Sequence, residues 1–203
     1  MLMLALVAGL LSVVASGTSR VGFNVGSVFY LSMVIAFGVI LVMYGIAQER
    51  KDKALLFVLS LPISPKQYLQ AKMLAILTIF FVPWAALTAG AVVMILVTRV
   101  PDGLLPFFIL VSTFMLMNFC VILCVALLTL HELMMTSTVI LTNMSVSLFF
   151  MFLGGIPQIQ VHTADNVVIW GSPFFLVLAC EIVVMLIALT LPLYFGRARR
   201  GLT

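Results

Sequence analysis

The sequence predicts an all-α, polytopic membrane protein with six transmembrane helices, both termini inside, and a short cytoplasmic helix between helices 2 and 3. Three observations predict it. Of the 203 residues, 65% are hydrophobic and only 8% are charged, whereas about a quarter of a soluble domain is charged. The mean hydropathy is +1.34, so the surface suits lipid rather than water. The apolar sequence also divides into runs of about 20 residues, the length at which a helix crosses a bilayer. The runs are long and do not alternate, as helices require and barrel strands do not. The chain has room for a single membrane domain, 1–203, and none for a large soluble one.

In order, the spans fall at about 1–19, 27–47, 71–98, 104–130, 133–156 and 172–195. The first run lacks a positive n-region, and VVASG is a loose match to a cleavage site, so it reads as a span and not a removed signal. Between spans 1 and 2 lies SRVGFNVG, a short outer connection whose Gly22 and Gly26 form a GxxxG pair. That pair suits either close helix packing or a flexible loop. RVPDG makes a second, turn-like outer connection. The third, 154–171, is semi-apolar and bounded by Gly154-Gly155-Ile156-Pro157 and Gly171-Ser172-Pro173. A short interfacial or re-entrant helix with Trp170 at headgroup level fits it, and so does a plain loop.

Lysine and arginine set the orientation. With both termini inside, the cytoplasmic side holds Arg50, Lys51, Lys53, Lys66, Lys72, Arg197, Arg199 and Arg200, against Arg20 and Arg99 outside. This bias also requires an even number of spans. The address it implies is a multi-pass chain in a cell membrane, such as a bacterial inner (plasma) membrane.

Residues 48–72, QERKDKALLFVLSLPISPKQYLQAK, carry five of the ten basic residues. Within them, 48–70 form an elbow. Gln48 to Lys53 is a charged head. Ala54 to Leu61 is an apolar octet, too short to span, and Pro62 stops it. A helix then restarts: Ser64 as N-cap, Pro65 at the first helical position, Gln67 closing a capping box, and Ile63 with Tyr68 as a hydrophobic staple. A helix from Pro65 to about Thr98 is about 50 Å long. The hydrocarbon core is about 30 Å, so the first turns project into the cytoplasm, and Pro83 offers a kink site.

The pattern Glu49-Arg50, Lys53-Ala54-Leu55, Leu59-Ser60-Leu61-Pro62-Ile63-Ser64 and Lys72 resembles the cytoplasmic elbow of type-2 permeases of ATP-binding-cassette (ABC) transporters. The six-span layout and the semi-apolar connection before the last span are similar too. Two positions depart from the family pattern: Leu56, where an acidic residue is common, and Ala71, where Gly precedes the Lys. The amphipathic helix that usually leads into the family's first span has no counterpart here. The resemblance implies the transmembrane subunit of an ATP-driven exporter of a lipid, peptide, glycan or drug-like substrate. It would pair with a second permease chain, identical or related, and with two separate ATPase subunits that hold ATP and Mg. Glu49, Arg50, Lys51, Lys53, Leu55, Leu56, Leu59, Pro62 and Ser64 would form the coupling surface, with His131 and Glu132, at a tight inner turn, as a second docking point. A polar hairpin tip is the plainer reading of those two.

The chemistry of the remaining residues fits a transport subunit better than an enzyme. No Gly-Lys pair occurs, so there is no Walker A loop, and this chain binds no cofactor of its own. Beyond the two basic clusters there is no stripe for nucleic acid. His131 and His162 fall on opposite sides. Cys120 and Cys124 are spaced as on one helix face but lack nearby ligand partners, so they read as small packing residues. Glu181 is the one acid deep in a span, about 14 Å below its outer end. Its helical neighbours Val177, Leu178, Val184 and Met185 cannot pair with it. A carboxylate there costs a few kcal/mol unless paired or protonated. It reads either as a polar point on the substrate path or as a neutral acid bonded within the bundle. Asn118 and Asn143 are its candidate partners, or interhelical glue. Two other functions share these residues: an ATP-independent carrier or channel built on Glu181, and a membrane scaffold that recruits a cytoplasmic protein through the elbow.

Overall fold

The computed structural model describes residues 20–48, 65–97, 101–129, 131–164 and 167–195. Every regular element among them is helical. Helix α1 is Arg20–Val42 and continues as a π-helical segment, Met43–Gln48. Then follow α2 Pro65–Val97, α3 Leu104–Leu128, α4 Glu132–Gly154, the short α5 Pro157–Gln160, a 3-10 turn Val161–Ala164, and α6 Ser172–Phe195. Five helices are long and apolar enough to cross a membrane. The expected first span, residues 49–64 of the elbow, and the basic tail lie outside the described residues.

The helix boundaries follow local chemistry. Helix α2 starts at Pro65, where the capping pattern puts the first helical residue and where a missing N–H costs nothing. It runs through Pro83 without ending. Between α3 and α4 the chain turns in three residues. The Thr129 N–H bonds the Val125 carbonyl at 2.8 Å, and Glu132 sits in the first turn of α4, where the helix dipole favours an acid. After α4, Gly155 donates to the Met151 and Phe152 carbonyls. Pro157 then opens α5, so the 154–171 connection holds a short helix.

Two elements differ from expectation. Residues 20–26, read as an outer connection, are the first two turns of α1. Nothing in SRVGFNVG blocks a helix: it has no proline, and glycine only weakens helical propensity. The GxxxG pair thus lies on a helix and not in a loop. At the other end, α1 does not stop near residue 47 as an α-helix but loosens into the π segment. Val42 and Ile46 are both buried, while Met43 and Tyr44 face out.

The packing centres on α3. Most of its length is buried, whereas each of the other four long helices turns most of its surface outward. Outward side chains such as Ile40, Val82, Leu141, Met151 and Leu186 suit lipid. Antiparallel hairpins set the register. Going along α1, Tyr30 meets Thr88 of α2, Gly38 meets Phe80 and Gly45 meets Ile76. Phe80 stacks on Phe119 of α3 with ring centroids 3.6 Å apart, and Phe114 of α3 stacks on Phe149 of α4 at 3.8 Å. Helix α6 runs parallel to α3: Ala188, late in α6, packs with Cys120 and Cys124, late in α3. Gln48, Pro65, the 129–132 turn and Phe195 therefore share one end of the bundle.

Candidate functional site

Polar side chains inside an apolar bundle must find partners, and three groups of them are described. The first links three helices. Tyr30 of α1, Thr88 of α2 and Ser112 of α3 form a closed triangle of hydroxyls. The Tyr30 Oη to Thr88 Oγ1 distance is 2.9 Å, Tyr30 Oη to Ser112 Oγ is 2.6 Å, and Thr88 Oγ1 to Ser112 Oγ is 2.8 Å. In a closed triangle each hydroxyl can give one hydrogen bond and take one, so all three are satisfied. Trp84 Nε1 donates to the Ser112 carbonyl at 3.0 Å and adds a fourth tie at the same level. Sequence reading missed this cluster. Its members are 24 to 82 residues apart, and only the isolated hydroxyls in apolar runs hinted at it.

The second group is Asn118. It is buried, donates through Nδ2 to the Thr142 carbonyl at 3.3 Å, and receives the Ser145 hydroxyl on Oδ1 at 3.5 Å. It joins α3 to α4 as interhelical glue. Val34, Gly38, Phe80, Asn118, Thr142 and Asn143 border a narrow cleft with a cavity volume of only about 20 Å³. Asn118 and Asn143 thus share one cleft. A larger apolar groove, with a cavity volume of about 250 Å³, lies near the start of α3, between Val28 and Leu31 of α1, Phe107 and Val111 of α3, and Phe150 of α4.

The third is Glu181. It is only 3% exposed, and neither carboxyl oxygen has a hydrogen-bond partner among the described residues. The expected pairing with Asn118 or Asn143 does not form. Asn118 spends its amide on α4, while Glu181 lies on the face of α6 that packs against α3. The three expected path residues are therefore two separate features: an asparagine cleft among α1 to α4, and a lone carboxyl at the α3–α6 seam.

The expected coupling residues Glu49, Arg50, Lys51, Lys53, Leu55, Leu56, Leu59, Pro62 and Ser64 lie outside the described residues. The chain on either side is described: the π segment ends at Gln48 and α2 begins at Pro65. In the first turns of α2, Lys72 Nζ donates to the Tyr68 hydroxyl at 3.3 Å and sits 5.6 Å from the centre of its ring. His131 and Glu132 are exposed in the α3–α4 turn, at the same end of the bundle as Gln48 and Pro65. The three cysteines are free. Cys120 and Cys124 are buried in the seam with Ala188, as packing residues. Among the described residues no three of His, Cys, Asp and Glu gather as a metal site would need. Neither a family model, nor a curated protein, nor a solved structure matches the chain.

Proposed function

We propose that this chain is the membrane-spanning permease subunit of an ATP-driven transporter, coupled to a separate ATPase through the segment between α1 and α2. The observation that carries the reading is the start of α2 at Pro65, within the stretch whose residues resemble the type-2 permease elbow. A plain anchoring loop needs basic charge but no helix restart. Helix α2 has 33 residues, about 50 Å, against about 30 Å of hydrocarbon. Its first turns therefore suit a lever that reaches out of the membrane. The exposed His131-Glu132 turn shares that end and suits a second contact.

In this reading ATP-driven closure of the ATPase pair pushes residues 49–61, and α1 and α2 carry the push into the bundle. The hydroxyl triangle supports such a transfer, because it ties α1, α2 and α3 together far from the elbow. Export of an amphiphilic substrate is the direction the resemblance implies, with a second permease chain completing the path. The partner chain would hold ATP and Mg. The test is affinity capture of the tagged chain from native membranes, with ATPase assay of the eluate, for wild type and Glu49→Ala/Arg50→Ala. The expected result is a co-purifying ATPase with a Walker A loop, lost or uncoupled in the double variant. Capture of no ATPase by the wild type refutes the reading.

A carrier that works without ATP is the second reading, favoured by the buried, unpartnered carboxyl of Glu181. It expects solute flux by the chain alone in liposomes, abolished by Glu181→Gln.

A further inference from the structure

Among the buried polar side chains described, Glu181 stands apart. The Tyr30, Thr88 and Ser112 hydroxyls satisfy one another, and Asn118 is bonded to α4. Glu181 is only 3% exposed, and among the described residues neither of its oxygens has a donor. Burial of a carboxyl without a partner is among the costlier arrangements a bundle can hold.

Its position shows what surrounds it. Phe174, Glu181 and Ala188 recur every seven residues, two turns of helix, so they form one stripe along α6. All three are buried, and Ala188 packs with Cys120 and Cys124 of α3. The stripe is therefore the face that α6 lays on α3, with Glu181 about 10 Å along the axis from Ala188. Among the described residues no cation faces it. Its own turns offer Val177, Leu178, Val184 and Met185. On α3 the polar side chains nearest that level are Ser112, bonded to Tyr30 and Thr88, Thr113, which donates to the Ile109 carbonyl, Asn118, bonded to α4, and the Cys120 thiol. Lys72 of α2 lies near the start of its helix, on Tyr68. At the cysteine level Cys120, Cys124 and Ala188, small residues that let helices approach closely, sit among Leu77, Val121, Met185 and Leu189.

We propose that the α3–α6 seam opens, and that Glu181 is the site at which the open seam binds a hydrogen-bond donor: water, or the ammonium group of an amphiphilic amine. In the closed seam the carboxyl opposes the packing around it. In the open seam a donor satisfies it. The asymmetry then has a purpose: the α1–α2–α3 contacts are held by satisfied polar groups, and the α3–α6 contact carries one that is not. This assignment holds whether or not a partner supplies ATP energy.

The seam carries its own reporters. With Cys180→Ala in place, Cys120 and Cys124 are the remaining thiols, and they react with N-ethylmaleimide only when water reaches them. The full chain is reconstituted in liposomes, and the alkylation rate is measured with Glu181, Glu181→Leu and Glu181→Gln, without and with octylamine or octanol. Glu181 is expected to give labelling about tenfold faster than Glu181→Leu, the factor expected for removing one unsatisfied buried group. If this difference appears without amine and Glu181→Gln retains it, the donor is water. If it appears only with octylamine, is absent with octanol, and is lost in Glu181→Gln, the donor is the ammonium group. Equal or faster labelling of Glu181→Leu in every condition overturns the proposal.

Discussion

Tyr30 is 1% exposed, and its hydroxyl is the one that reaches both Thr88 and Ser112. Tyr30→Phe keeps the ring and its contact with Phe108, at 5.4 Å between centroids. It leaves the Thr88 and Ser112 hydroxyls bonded to each other alone. Interhelical hydrogen bonds in membranes contribute about 0.6 kcal/mol on average and up to about 1.7. Two are lost, so thermal unfolding in detergent should show Tyr30→Phe destabilised by about 1–3 kcal/mol. Thr113→Val is the control: its hydroxyl bonds its own helix at Ile109, and the change should be close to neutral. At this scale the sequence was legible only in part. Glu181 stood out because an acid in an apolar run is rare. Its lack of a partner did not, since that depends on where Asn118 points. Tyr30 and Ser112 look like ordinary residues until three helices bring them together.

Elements were legible where chemistry is local. The start of α2 follows from Ser64-Pro65 and Gln67, all within one turn. The three-residue turn between α3 and α4 follows from His131-Glu132 interrupting two apolar runs. What could not be read is which helix is central. In lipid, outward and inward faces are both apolar, so the contrast that marks a buried face in water is missing. Helix α3 differs in its neighbours and not in its composition. Small residues were the better guide, and Gly38 is the instructive case. A Cβ there would lie 3.1 Å from both the Phe80 and Phe119 rings, so the glycine lets α1 approach the stacked pair. Gly38→Ala requires that stack to shift by a few tenths of an ångström. Gly38→Leu cannot be absorbed and should cost about 1–3 kcal/mol through overpacking. Gly90 is the comparison: a Cβ there meets nothing within 4 Å, and Gly90→Ala should be neutral or stabilising in the same unfolding assay.

At the scale of the whole molecule, the claim to test is how the bundle sits in the membrane. The proposed arrangement of the five membrane-length helices puts the Gln48–Pro65 end in the cytoplasm, as the distribution of basic residues in the sequence predicts. Single cysteines in a background without Cys120, Cys124 and Cys180 can report it. Gln67 and Phe81 are both exposed on α2, 14 residues or about 21 Å apart. Gln67→Cys should react with a membrane-impermeant maleimide only from the cytoplasmic side, and Phe81→Cys from neither. Val167→Cys, exposed beyond the 3-10 turn, should react only from the opposite side. Reaction of Gln67→Cys and Val167→Cys from the same side would refute the alternation of the helices. Residues 49–64, the proposed coupling segment, were the most distinctive feature of the sequence, yet the proposed role rests on a partner surface. A single chain holds only half of that information.

The π segment Met43–Gln48 carries a final consequence, in the currency of insertions and deletions. A π turn is an α-helix with one residue more than its hydrogen bonding needs. Removing one residue there would leave the contacts of Tyr30, Val34 and Gly38 in place and rejoin the backbone as ordinary helix. The chain beyond Gln48 would then leave the bundle in a different direction. Lineages that gained or lost a residue at this point could re-aim the connection to α2 without rebuilding the membrane core.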